Sequence, residues 1–134
     1  MSGERDLARL LAGMRPEPQP GTFLFCTVPE GTPAPATALA TFREAEATTV
    51  VLEERDAASA GLEGTFRAAW ITLTVHSDLA AVGFLARVAT ALAEAGIACN
   101  AISAFHHDHL FVPVEARERA LETLETLIRE QAKS

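Results

Sequence analysis

Within residues 66–75 apolar and polar side chains alternate, with Ile71, Leu73 and Val75 on one face and Trp70, Thr72, Thr74 and then His76 on the other. Period-two alternation marks a strand buried on one side only. The period then changes. Over residues 79–95, Leu85, Val88 and Leu92 form a single stripe at helical spacing, Ser77-Asp78 supplies a suitable start, and Gly96 supplies the usual stop. Residues 97–105 again have strand character, 106–109 read as a turn or as strand ends, and 110–114 as a returning strand in which Pro113 implies an edge or bulge position. Residues 116–130 close the pattern with Leu121, Leu124, Leu127 and Ile128 on one helical face. The order strand, helix, strand, strand, helix is a ferredoxin-like unit without its final strand. Another part of the molecule, or a second copy, is expected to cover the open edge.

The first half is poorer in helix. Leu7, Leu10 and Leu11 have helical spacing within residues 4–13, and Gly13 with Pro16, Pro18 and Pro20 ends that helix in a stiff connector. Phe23-Leu24-Phe25-Cys26-Thr27-Val28 is a buried strand, and residues 30–35 are a Gly/Pro loop. Residues 38–42 and 48–52 form a hairpin about Arg43-Glu44-Ala45-Glu46, and 53–60 a short helix. The fold class is therefore α+β, with antiparallel sheets carrying helices on one face in two halves, residues 1–64 and 65–134. Strand sharing or exchange between the halves is expected, because the first half lacks a full set of helices.

Composition narrows the function. A formal net charge of −7 over 134 residues argues against nucleic acid and against anionic membrane surfaces, both of which select clustered Lys and Arg. No apolar run approaches the roughly 20 residues a membrane span needs. The first apolar stretch, interrupted by Arg9 and ended by Arg15-Pro16, does not read as a signal peptide, so a cytoplasmic location is expected. Cys26 and Cys99 sit in apolar runs without electropositive neighbours, which describes core thiols and not nucleophiles. Phosphate-loop, dinucleotide and Gly-x-Ser-x-Gly signatures are missing from the sequence, and no enzyme is expected.

The residues of the second half resemble an ACT domain, the small-molecule-binding regulatory module of amino-acid metabolism. The likeness is carried by Ile71-Thr72-Leu73-Thr74-Val75, Val82-Gly83-Phe84, Leu92-Ala93-Glu94-Ala95-Gly96-Ile97, Ile102-Ser103 and His107-Asp108-His109-Leu110-Phe111-Val112-Pro113. Phe23 to Val28 and Ala40-Thr41-Phe42-Arg43-Glu44-Ala45-Glu46 extend it into the first half, as in bacterial two-ACT proteins of unassigned role. These are similar to the ACT pairs of aspartate kinases and of the arginine-sensing CASTOR proteins. The resemblance implies two ferredoxin-like ACT halves and an amino-acid-like ligand contacted by His76, Ser77, Val82, Gly83, Phe84, Asn100, His107 and Asp108. Two departures stand out. The turn Ser77-Asp78-Leu79-Ala80-Ala81-Val82-Gly83 has no proline, and Ala98 follows Gly96-Ile97 where aspartate kinases often carry asparagine.

The chemistry of those residues agrees with the resemblance. A strand-to-helix turn presents unpaired N–H groups and the positive end of a helix dipole, which suits a carboxylate. Gly83 would let a ligand approach the backbone, and Asp78 is the expected cap. Asp108 serves either a ligand's cationic group or a hydrogen-bonded turn. The cluster His106, His107, Asp108 and His109 invites a metal, but in an extended segment at most two of these converge on either side, so no metal or cofactor is expected. A homodimer is expected from the open edge and from the face bearing Trp70, Thr72 and Phe111. The competing reading is a structural or protein-interaction module that has lost ligand binding.

Overall fold

The computed structural model describes residues 3–133. In chain order the first half contains α1 (Leu7–Gly13), β1 (Arg15–Pro18), β2 (Phe23–Val28), β3 (Ala40–Arg43), β4 (Thr48–Glu53) and α2 (Glu54–Ser59). There follow β5 (Gly64–Thr74), α3 (Phe84–Glu94), β6 (Asn100–Ser103), β7 (Asp108–Pro113), a 3-10 turn at Val114–Ala116 and α4 (Arg117–Ala132). Contacts gather these into two compact units. Residues up to Gln19 belong with Ala69 onward, and Pro20–Ala68 form the other.

In the unit that contains the C-terminal half, the strand order is β1-β5-β7-β6. This is the mixed α+β, antiparallel ferredoxin-like arrangement, and its fourth strand is β1. The proline-rich connector is thus a strand: Arg15, Pro16, Glu17 and Pro18 lie antiparallel to Thr74, Leu73, Thr72 and Ile71. Two prolines are tolerable there because a peripheral strand leaves one row of its N–H positions unused by the ladder. The open edge expected from the sequence is closed from within the chain.

The core of this unit lies between the sheet and its helices. Ala69, Ile71 and Leu73 of β5 and Leu110 and Val112 of β7 meet Phe84, Val88 and Leu92 of α3 and Ala120, Leu124 and Leu127 of α4. Leu10, Leu11 and Met14 join the same cluster. Helix α1 is started by Asp6, whose side chain accepts the Arg9 N–H at 3.0 Å. Helix α3 ends in a paired motif, with the Gly96 N–H on the Ala93 carbonyl and the Ile97 N–H on that of Leu92, both at 2.9 Å. Ile97, 4 % exposed, anchors that exit, so the following strand is confined to Asn100–Ser103 and is shorter than its composition suggests.

Two further expectations are corrected. Helix α3 begins at Phe84, five residues later than the apolar stripe predicts, because Ser77 and Asp78 are engaged in other bonds and Gly83 caps it. Pro113 does not mark an edge. It is the last residue of β7, which runs between β5 and β6, and at a strand end its missing N–H disrupts little of the ladder.

The second unit orders its strands β3-β4-β2-β5, using the beginning of β5, where Phe23 faces Ala68 and Cys26 faces Gly64. Its core comprises Leu24, Cys26, Val28, Val50, Leu52 and Ala57, the last from α2. Arg67 grips Glu54 through two bonds, at 2.7 and 3.2 Å, and that guanidinium holds the Glu54 carboxyl below its ordinary pKa. Cys26 is buried, and burial raises its thiol pKa, in keeping with a core thiol.

Leu10 has no exposed surface, and its helix packs against α4, about a hundred residues later in the chain. Leu10→Ala is expected to lower the unfolding free energy by about 2–5 kcal/mol, as buried leucine truncations do. Chemical denaturation measures this, and a near-neutral result would remove α1 from the core.

Candidate functional site

The turn after β5 is held by the chain's own N-terminal segment. The Glu4 N–H donates to the His76 carbonyl at 2.8 Å, and the Asp78 N–H donates to the Glu4 carbonyl at 3.0 Å. Gly3 lies so close that a Cβ would sit 2.5 Å from the His76 carbonyl oxygen, leaving no room for any side chain. Arg5 pairs with Asp78 at 3.2 Å. The Asp78 carboxylate also accepts the Ala80 N–H at 2.7 Å, and this bond, aided by Arg5, holds its pKa below the usual value. Asp78 therefore folds the turn back on itself and does not cap α3.

Below this turn sits Asp108, the first residue of β7 and 6 % exposed. Ser77 Oγ donates to one carboxylate oxygen at 3.1 Å, and Ser103 Oγ donates to the other. Ser103 pairs with Asp108 across the β6–β7 hairpin, whose turn is closed by the Ala104 N–H on the His107 carbonyl at 3.0 Å. An ionised carboxylate can accept about four hydrogen bonds. Two hydroxyls leave acceptor capacity unused, and among the described residues no Lys or Arg is paired with Asp108.

That capacity opens on a cavity of about 70 Å³ lined by Ser77, Asp78, Ser103 and Asp108 on its polar side and by Leu79, Ala81, Phe84 and Leu85 on its apolar side. Phe84 and Leu85 are the first residues of α3, and no side chain caps that helix. Gly83, its N-cap, has φ +93°, the left-handed region in which residues with a Cβ are strained. The cavity therefore lies between a buried carboxylate and the positive end of a helix. This arrangement can bind a zwitterion at both ends.

The eight residues singled out in the sequence separate in space. Ser77, Phe84 and Asp108 line the cavity, and Gly83 starts the helix beside it. Val82 is 84 % exposed. His76 turns its ring toward His106, with centroids 5.8 Å apart. His107 Nδ1 lies 3.4 Å from the Val75 carbonyl. Asn100 pairs with Phe111 in register and so shares the sheet face opposite Asp108 and Ser103. Among the described residues no group of three or more His, Cys, Asp or Glu side chains is placed to hold a metal ion. Cys99, half-buried, has its thiol pushed up to about 11 by desolvation, which keeps it protonated. Sequence reasoning missed Ser103, yet the alternation Ser103…Asp108 about a four-residue turn was there to be read. It also missed Glu4 and Arg5, for which no local signal exists.

The opposite face of the same strands carries a second polar group. Trp70 Nε1 donates to His109 Nδ1 at 3.0 Å, Thr72 Oγ1 lies 3.2 Å from the same nitrogen, and Gln19 Nε2 donates to Thr72 Oγ1 at 3.1 Å. The Trp70 ring stacks on buried Phe111 with centroids 6.4 Å apart.

A ferredoxin-like unit with a strand-to-helix turn over a small polar cavity is the architecture of a regulatory small-molecule-binding domain. The chain belongs to the ACT-domain family: one ACT-domain model matches residues 2–69 and a second matches residues 65–126, in tandem. ACT domains generally bind amino acids for regulation. Among solved structures, a Vibrio cholerae protein of unknown function, described as a possible transport protein, is 43 % identical with a TM-score of 0.79, over 91 % of this chain and 95 % of that one. An Agrobacterium tumefaciens protein shares the fold, with a TM-score of 0.68 at 18 % identity over 86 % and 89 % of the two chains. No curated protein matches the sequence. No described helix is long and apolar enough to cross a membrane.

Gly83→Ala is expected to cost about 1–2 kcal/mol of stability through the left-handed backbone alone, since the nearest atom to an added Cβ is Leu7 Cδ2 at an ordinary 3.5 Å. Denaturant titration checks this. An unchanged midpoint would mean that the turn relaxes to another conformation.

Proposed function

We propose that this protein is a non-catalytic, cytoplasmic regulatory protein that binds an amino acid or similar zwitterionic metabolite through its C-terminal ACT domain. In this reading residues 1–64 act as the N-terminal ACT-like half and 65–134 as the ligand-binding domain. The observation that carries the proposal is Asp108: a carboxylate 6 % exposed, held by two serine hydroxyls and facing a cavity beside the uncapped start of α3. Burying a charge without a counter-charge is costly, and a ligand ammonium or guanidinium would offset that cost. The ligand carboxylate would rest on the N–H groups at Gly83 and Phe84. His76, Val82 and His107, also expected from the resemblance, lie outside the cavity and would act only at its margin, and Asn100, on the other face of the sheet, has no part in it.

The size of the cavity supports a second element of the proposal. About 70 Å³ holds the charged head of a ligand, whereas sites that enclose a whole small molecule measure roughly 300–1,000 Å³. Leu79, Val82 and Phe105, respectively 67, 84 and 65 % exposed, belong to the turn and the hairpin beside it. Strand β6 is the outer strand of its unit. A second copy docked on these residues would cover apolar surface and complete the site, which supports a homodimer. The β5 edge itself is not open to a second copy, since β1 occupies it. The same small volume favours the competing reading, an interaction module without a ligand.

A thermal-shift screen of the amino acids separates the two, because a ligand bound only by the native state raises the melting temperature. At least one amino acid is expected to do so, and none doing so would favour the interaction module. For that ligand, Asp108→Asn is expected to weaken binding by about 1.5–3 kcal/mol in calorimetry, with one serine hydroxyl still donating to the amide oxygen and the other turning to accept from the amide N–H. Equal affinity in both proteins would place the site elsewhere. Light scattering over a concentration series is expected to give twice the chain mass, and a monomer mass throughout would exclude the dimer.

A further inference from the structure

Residue His109 lies one position after Asp108 and so faces the other side of the sheet, where the ligand reading gives it no role. An indole N–H can only donate, so His109 Nδ1, 3.0 Å from Trp70 Nε1, must present its lone pair, and the ring proton resides on Nε2. The Thr72 hydroxyl, which accepts from Gln19 Nε2, is within 3.2 Å of the same lone pair. One neutral imidazole thus joins β7 to β5, and through Thr72 to the residue that follows β1. A second ring proton can enter only at Nδ1. It would then confront the Trp70 N–H, and that bond is lost.

We propose that His109 is a proton-sensitive latch, which fastens β7 to β5 through Trp70 while neutral and releases Trp70 when it takes up a proton. The surroundings agree. Burial lowers the His109 pKa below 6.5 and His107 lowers it further, while Asp108 opposes them. Around it, β5 contributes the uncharged Trp70 and Thr72, and β6 contributes Asn100 and Ile102, the residues in register with Phe111 and His109. From β1, Glu17 and Arg15 share the face of Thr72 and Thr74. Since the folded-state pKa is depressed, the latch contributes its full stability above the unfolded value of about 6.5 and loses it as pH falls through the folded value.

Trp70 is the only tryptophan in the chain, so its emission reports on the latch directly. In the full chain, fluorescence followed from about pH 8 to about pH 5, across the range in which histidine titrates, is expected to show one transition with its midpoint below 6.5. His109→Asn keeps an acceptor for the indole N–H but cannot titrate, and is expected to abolish the transition and to flatten the accompanying fall in melting temperature. An identical transition in the variant, or none in the native chain, would overturn the proposal. Should the variant not fold, the ¹⁵N chemical shifts of His109 in the native protein decide: a bare Nδ1 with a protonated Nε2 near neutral pH is expected, and the opposite tautomer or a charged ring would refute the latch.

Discussion

The antiparallel pairing of Arg15–Pro18 with Ile71–Thr74 is the contact on which the rest of the C-terminal unit depends. A three-stranded β5-β7-β6 sheet would expose the flank of β5 next to the turn that follows it, and unpaired strand edges recruit other chains. The segment that closes the flank brings two other things with it. Helix α1 adds Leu10, Leu11 and Met14 to the core, and Glu4 and Arg5 fix the backbone of residues 76–78. The turn after β5 is thus shaped by residues more than seventy positions away. An early stretch with the composition of a tether is instead part of the sheet and a support for the turn after β5.

Strand β7 shows how one short segment can carry two chemistries. Its residues alternate between the helix side of the sheet and the opposite side. Asp108 projects beside the core residues Leu110 and Val112, and His109 projects with Phe111. On the first side a carboxylate is held by two hydroxyls and, among the described residues, is paired with no Lys or Arg. On the second side an imidazole is held neutral by a donor that cannot reverse its role. Both devices rest on hydrogen bonds whose direction is dictated by the partner: serine donating to a carboxylate, and indole donating to a ring nitrogen.

The elements of this fold were largely legible in the sequence because they rest on local periodicity. Alternation placed β5, the Leu85-Val88-Leu92 stripe placed α3, and the leucine repeat placed α4. Local signals failed where a distant partner overrode them. The stripe extended α3 back to residue 79, yet the Ser77 hydroxyl goes to Asp108 and the Asp78 carboxylate to Ala80 and Arg5, so the helix waits for Gly83. Prolines marked residues 15–18 as a connector, yet a strand at the periphery of a sheet accommodates them.

The sequence by itself determined the family, the antiparallel α+β class and the passage from strand to helix after residue 75, because each follows from side-chain pattern within one stretch of chain. Only the tertiary structure decided that β1 supplies the fourth strand, that Ser103 and not Asn100 shares a face with Asp108, and that His109 meets Trp70. Those outcomes depend on register and on pairings between segments far apart in the chain. A shift of one residue reverses every face of a strand, and no local preference specifies that alignment.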